Sequence, residues 1–288
     1  MEVRASGLSD VGLQREGNED AFSIQSSLGL YIVADGMGGH LAGEVASRVA
    51  VEIIAQSFRK WFEGDTPEDE LFGYPEASLS KVGNYVLSSI RLANRVIYEM
   101  AVQHEQYSGM GTTIGALLVK PGLIVVANVG DSRVYMVRDG GIERMSRDHT
   151  IVSEHIEMGV MTEEEAAQSP LRHILTRNLG SSEHVEPEVF EIAPSGRDRF
   201  VLCTDGLTDL ADDEEILGLA RDEQDPELLC KHLIDLALSR GGHDNTTVVS
   251  VFVEDKERQA RQGVVSKAGG VLADTLAALG RIRKGFGL

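Results

Sequence analysis

The sequence is poor in cysteine, in positive charge and in long apolar runs, and each shortage removes a class of function. Cys203 and Cys230 are its two cysteines. Two cannot build a disulfide framework, which points to a reducing, cytoplasmic setting. No apolar run approaches the roughly 20 residues of a membrane span. The opening residues, MEVRASGLSD, lack the apolar segment of a secretion signal. Lysine and arginine number 27 against 46 aspartates and glutamates, a formal net charge of −19, which disfavours binding to nucleic acid. The 8 histidines are scattered and the cysteines lie far apart, which argues against zinc. No internal repeat is visible, and no linker divides the chain before Glu254.

What is present is 42% hydrophobic content over 288 residues, enough for a substantial core, and one recurring local pattern. In VADGMGGH, the apolar residues Leu30 to Val33 stop at Asp35, with Gly36, Gly38 and Gly39 behind it. A buried strand delivers a carboxylate to its exposed end in this way, and the glycines supply a flexible turn. The pattern returns at Asp131 after the run 123–129 and at Asp205 after 200–203. Asp244 stands just ahead of a strand. One aspartate ending a strand is ordinarily a turn former. Four of them, with Arg15, Asn18, Glu19 and Asp20 clustered upstream, read as one oxygen-ligand metal centre.

The close spacing of strands at 2–9, 20–26 and 29–34 predicts antiparallel pairing, because parallel pairs need a long crossover. From Val45 to Phe62 the apolar residues fall at i, i+3 and i+4, an amphipathic helix. A second helix is expected over 82–104, after an acidic loop at 63–80. Strands follow at 112–120, 123–129, 132–138 and 142–145, the last two joined at Asp139-Gly140. Residues 146–186 break the pattern, and a mobile lobe with short helices is expected there. A core strand at 200–203 and a helix at 212–220 come next. A helix at 226–239 then turns Leu228, Leu229, Leu233 and Leu236 inward, before a last strand at 245–253. Cys203 is expected on a strand face with Asp205, as a small buried residue.

Carboxylates, carbonyls and water suit hard divalent ions such as Mg²⁺ or Mn²⁺. Clustered carboxylates repel one another, so their joint ionisation requires cations between them, and two ions are expected. A two-metal centre bridged by one carboxylate can lower the pKa of a water and aim it at phosphorus. Arg15 adds a guanidinium able to grip two phosphate oxygens.

The motifs REGNEDAF, VADGMGGH, GMGTTIGALLV, ANVGDSRVY, CTDGLTD and HDNTTVV, in that order, resemble the metal-dependent serine/threonine protein phosphatases of type 2C, especially bacterial members. The resemblance covers residues 4–254. It implies an α+β fold, a four-layer αββα sandwich of two antiparallel sheets flanked by helix pairs. It implies hydrolysis of phosphoserine and phosphothreonine in proteins by a water activated at a binuclear Mg²⁺ or Mn²⁺ centre. By motif, Asp35 would bridge two ions, with Asp205 and Asp244 on one and the Gly36 carbonyl on the other. Glu19 and Asp20 would act mainly through bound waters, and Arg15 would hold the substrate phosphate. A third, weaker ion would sit at Asp131, shared with Asp205, and residues 146–186 would form a flap. Eukaryotic members carry a histidine after the first Asp-Gly, where Met37 stands here. The general acid is thus left open between His40 and a water.

The substrates implied are phosphoproteins, those of a serine/threonine kinase. Two variants of the reading stand beside this one: a catalytically silent phosphoprotein-binding module of the same fold, and a phosphatase dedicated to one regulatory phosphoprotein. Silent relatives usually lose a metal aspartate, and here all the matched ones stand. A structural calcium domain would leave Arg15 unused. Residues 255–288 carry seven basic and three acidic residues, net +4, and an apolar stripe from Val264 to Ile282. They read as an extension outside the 1–254 catalytic domain, either a cap on it or a basic amphipathic helix for a partner or membrane surface.

Overall fold

The computed structural model describes residues 1–38 and 42–254, so His40 and the basic tail lie outside the described residues. Strands β1 (Glu2–Asp10), β2 (Ala21–Gln25), β3 (Leu30–Ala34) and the short β4 (Gly36–Met37) lead into helices α1 (Ala42–Glu63) and α2 (Lys81–Gln103). Then come β5 (Gly111–Thr112), β6 (Ile114–Lys120), β7 (Leu123–Val129), β8 (Arg133–Arg138) and β9 (Gly141–Arg144). The aperiodic segment holds α3 (Ile151–Glu157) and α4 (Glu163–Ala167). The chain closes with β10 (Glu188–Ile192), β11 (Arg199–Cys203), α5 (Asp205–Thr208), α6 (Asp213–Asp222), α7 (Pro226–Ser239) and β12 (Thr246–Glu254). Helix starts follow local chemistry. Ser80 caps α2 through the Gly83 amide, and Asp225 caps α7, whose first residue is Pro226.

One antiparallel sheet runs β1-β12-β11-β8-β9 and the other β10-β7-β6-β3-β2, with β4 paired to β5 apart from both. Period-2 alternation sorts their side chains into three apolar layers. Tyr31 and Val33 face between the sheets, with Leu117, Val126, Phe200, Leu202 and Val249. Leu30, Ile32 and Ala34 point the other way, against α1 and α2. Val201, Cys203 and Val248 face α6 and α7. The result is the expected four-layer sandwich.

Register decides where the polar ends gather. Val33 lies opposite Gly115, and Ile114 opposite Val129, so β3 and β7 finish at the same edge. In the other sheet Cys203 lies opposite both Val248 and Arg133. The Gly130–Ser132 turn therefore crosses between the sheets beside the end of β11 and the start of β12.

Four details differ from the sequence reading. The strand expected over 112–120 breaks at Thr113, whose amide and hydroxyl go to Asp35 (2.9 and 3.0 Å) rather than to the ladder. Strand β10 was not foreseen, because its apolar residues alternate with Glu188 and Glu191 inside a polar stretch. Leu228 is 46% exposed, since the buried stripe of α7 runs through Leu229, Cys230, Leu233, Ile234 and Ala237 and Leu228 falls beside it. Asp205 opens α5 instead of ending a strand, so Cys203 shares no strand face with it. Cys203 itself is fully buried.

Candidate metal centre

Asp35 sits between β3 and β4, and its backbone is held on both sides. Its amide donates to the Thr113 hydroxyl, and its carbonyl accepts from the Thr113 amide and from the Thr112 hydroxyl at 2.7 Å. Next to it, Gly36 has no room for a side chain. A Cβ there would lie 2.1 Å from the Gly43 carbonyl oxygen and 2.5 Å from that of Glu19. The Glu19 carbonyl accepts from the Gly36 amide (3.1 Å) and the Ser47 hydroxyl (2.5 Å), which locks the N-terminal acidic turn to the start of α1.

From the other sheet, Asp205 heads α5 and lines the same cleft as Asp35, close enough for its carboxyl to raise that of Asp35. Gly206 is again required by close approach, a Cβ falling 2.0 Å from the Asn245 carbonyl oxygen. Asp244 accepts from Arg15 at 2.7 Å on one oxygen and from the Asn245 amide at 2.8 Å on the other. Asp20 accepts from the Thr204 hydroxyl at 2.9 Å. A cleft of about 1120 Å³ is lined by Arg15, Glu19, Asp35, Gly36, Asp131, Asp205 and Asp244. Asp20 lies behind it, toward the groove between β2 and α1.

The electrostatics are those of crowded, desolvated acids. Burial, then Asp205 and Asp20, hold the Asp35 carboxyl well above the usual carboxylate range. Burial pushes Asp20 up to about 7, Asp131 up to about 8 and Asp205 up to about 6, with neighbouring aspartates adding to each. Glu19 is raised by burial and partly brought back by Arg15. Two unit charges about 4 Å apart repel by about 4 kcal/mol at an effective dielectric of about 20. Such a cluster cannot ionise fully without cations. One carboxylate oxygen of Asp20 and one of Asp205 are buried with no hydrogen-bond partner. Orphan anionic oxygens among crowded, buried carboxylates are donors of the kind a hard divalent ion takes, so the residues fit the group expected from the sequence.

Several contributors were not foreseen. Asn245 is buried and ties the N-terminal loop down, donating to the carbonyls of Val11 and Gly17 (both 2.9 Å) and accepting from the Glu19 amide at 2.8 Å. His173, from the 146–186 segment, places Nδ1 3.9 Å from Asp205 and Nε2 3.6 Å from Asp209. These three residues could share an ion, with one nitrogen among oxygens. Asn178 donates to the Met37 sulfur at 3.1 Å, joining the same segment to β4. Asn245 lay inside a recognised motif and could have been singled out. Asp209 closes the CTDGLTD motif and could likewise have been singled out, whereas His173 carries no local signal.

A family model described as protein phosphatase 2C matches residues 14–225. A putative protein phosphatase 2C-type of Streptococcus pyogenes is 34% identical over 258 residues, covering 88% of this chain and 99% of the relative. The serine/threonine protein phosphatase PstP of Mycobacterium tuberculosis is 35% identical over 268 residues, 92% of this chain. The chain spans about half of that relative, 48% of its length. A crystal structure of the catalytic domain of PstP in complex with 2 manganese ions superposes with a TM-score of 0.74. It is 33% identical and covers 88% of this chain and 99% of that one.

Proposed function

This chain belongs to the protein phosphatase 2C family and is a metal-dependent serine/threonine protein phosphatase, and on that footing we propose how its own residues divide the work. Asp35 would bridge two ions, Mn²⁺ or Mg²⁺. Asp205 and Asp244 would hold one and the Gly36 carbonyl the other, with Glu19 and Asp20 behind them. Asp131 would hold a third with Asp205. When bound, such ions lower the pKa of water and neutralise charge on a phosphoryl group. Arg15 stands at the cleft wall with its side chain 53% exposed, free to turn its paired donors toward a phosphate. Asp244 accepts from Arg15 on one oxygen, so phosphate grip and ion binding meet at a single carboxylate.

The supporting observation is the gathering, in one cleft at one edge of two sheets, of Arg15 with Asp35, Asp131, Asp205 and Asp244, the Asp205 carboxylate keeping one buried oxygen without a partner. The substrates are phosphoproteins. We take them to be products of a serine/threonine kinase, with the catalytic domain ending near 254 and the enzyme working in the cytoplasm. Among the described residues no helix is long and apolar enough to cross a membrane.

The test is hydrolysis of a phosphothreonine peptide with and without Mn²⁺, by the parent and by Asp205→Ala. Loss of a group behind a metal ligand typically costs about 10- to 100-fold, so loss of a direct ligand should exceed 100-fold. Activity of Asp205→Ala within about threefold of the parent at saturating Mn²⁺ would remove Asp205 from the ligand set, by the same scale. A parent chain that binds the peptide but never turns it over would be a silent binding module.

A further inference from the structure

Behind Asp131, outside the metal cleft, a buried histidine joins three parts of the molecule. His149 is 1% exposed. Its Nδ1 accepts the Gly130 amide at 3.1 Å, and its own amide donates to the Gly130 carbonyl at 2.9 Å. Gly130, the residue immediately before Asp131, is thus held at both its amide and its carbonyl by one residue. Gly130 has φ +98°, and a Cβ there would lie 2.6 Å from Thr113, so the turn has no other way to pass. Because Nδ1 accepts, the ring proton sits on Nε2, which lies 3.3 Å from a Glu188 oxygen but off the hydrogen-bond line.

The same residue is the root of the 146–186 segment. The His149 carbonyl accepts from Thr176 at 2.8 Å, Thr150 bridges to Leu175, and the Ile151 amide donates to Ile174 at 3.0 Å. The cleft-lining residues His173, Ile174 and Leu175 hang from this paired stem. On its far side Glu188 of β10 faces Arg147 at 3.4 Å and Arg177 at 4.0 Å, one from each strand of the stem.

We propose that His149 is a positioning residue that pins the stem of the 146–186 segment to the turn carrying Asp131, so that cleft wall and aspartate are placed together. The consequence for metal binding rests on the reading of Asp131 as a ligand of the weaker ion; the pin itself does not. Removing the ring acceptor frees the Gly130 amide and leaves only the backbone bond from the His149 amide to the Gly130 carbonyl between His149 and the turn, which loosens the junction. The two tighter ions, held by Asp35, Asp205 and Asp244, are left in place.

The experiment compares the full chain with His149→Ala and His149→Asn, whose Oδ1 can accept where Nδ1 does. Calorimetry should count two tight Mn²⁺ in all three. In His149→Ala, amide exchange at 130–132 and at 174–177 should accelerate together. The Mn²⁺ concentration for half-maximal peptide hydrolysis should rise about 10-fold or more, the scale of groups that orient ligands. His149→Asn should recover most of both. Parent-like exchange in His149→Ala, or an Asn variant no better than Ala, would overturn the proposal. If His149→Ala does not fold, Glu188→Gln tests the pin from its half-exposed side. A shift of about two- to fivefold in the Mn²⁺ response is expected at unchanged Tm, and no shift counts against the pin. Should Asp131→Ala leave the Mn²⁺ response untouched, the ligand reading fails while the exchange data still decide the pin.

Discussion

At the scale of single residues, the proposed division sets Arg15 on phosphate and the aspartates on the ions. The Arg15–Asp244 pair is partly exposed, and such pairs contribute about 0–1 kcal/mol. Its loss should therefore barely disturb the fold or the ions. A charge-assisted hydrogen bond to a bound phosphate is worth about 1.5–3 kcal/mol, roughly ten- to over a hundredfold. Arg15→Ala should lose that factor in kcat/KM on a phosphopeptide and in inhibition by inorganic phosphate. If tight Mn²⁺ binding collapsed instead, with phosphate inhibition intact, Arg15 would serve the metal. Asp35 and Asp131 could be read from the sequence because an apolar run that stops at an acid says where a strand ends. His173 could not. It lies in a stretch without period, and only the folding back of that stretch brings it to Asp205.

At the scale of elements, the site depends on backbone groups meeting without side chains between them. Gly36 and Gly206 approach within contact of neighbouring carbonyls, and Gly43 of α1 lies against the Glu19 carboxylate and the Gly36 backbone. The spacing of these glycines was visible in the sequence, but which backbone each admits was not, because that depends on register between strands far apart in the chain. Asn245 makes the same point with a polar side chain, closing the loop of Arg15 and Glu19 onto β12. Asn245→Ala would leave the Glu19 amide and two carbonyls unmatched. A buried group left unsatisfied costs about 1–3 kcal/mol, so a loss of that size or more is expected in chemical denaturation. Weaker Mn²⁺ binding should accompany it. Parent stability would mean that water replaces the side chain and that the loop is held elsewhere. The unforeseen β10 belongs here too. Its Phe190 and Ile192 alternate correctly, but Glu191 between them and Glu188 ahead of them disguise a half-buried edge strand.

At the scale of the molecule, charge and chain order dominate. The raised carboxylates bind protons more tightly folded than unfolded. Without metal, their contribution to folding is full below the unfolded pKa near 4 and is lost as pH rises through about 6 to 8. Divalent ions bind the ionised forms and compete with those protons. The rise in Tm on adding Mn²⁺ should therefore be larger at about pH 8 than at about pH 5.5. An equal or smaller rise would mean that these carboxylates do not hold the ion. A second prediction concerns the basic tail. It carries net +4 on a chain of −19, leaving −23 for the rest. Every proposed ligand precedes β12, and β12 ends at Glu254, paired with Glu2. A chain cut after Asp255 should keep its peptide phosphatase activity and its Tm. Insolubility or a much lower Tm would make the tail part of the fold.

The pairing of β1 with β12 reaches beyond stability, into synthesis. Among the described strands, β1 is made before the others and has the last made, β12, as its hydrogen-bonded neighbour in the sheet, and the acidic turn after β1 is closed by Asp244 and Asn245 just before β12. At about 5–20 residues per second, the opening strand waits on the order of 10–50 s for its partner. Throughout that interval a growing chain has no Asp244 to complete the ion site proposed for it. It meets its phosphoprotein substrates as an active hydrolase only after almost the whole catalytic domain has been made.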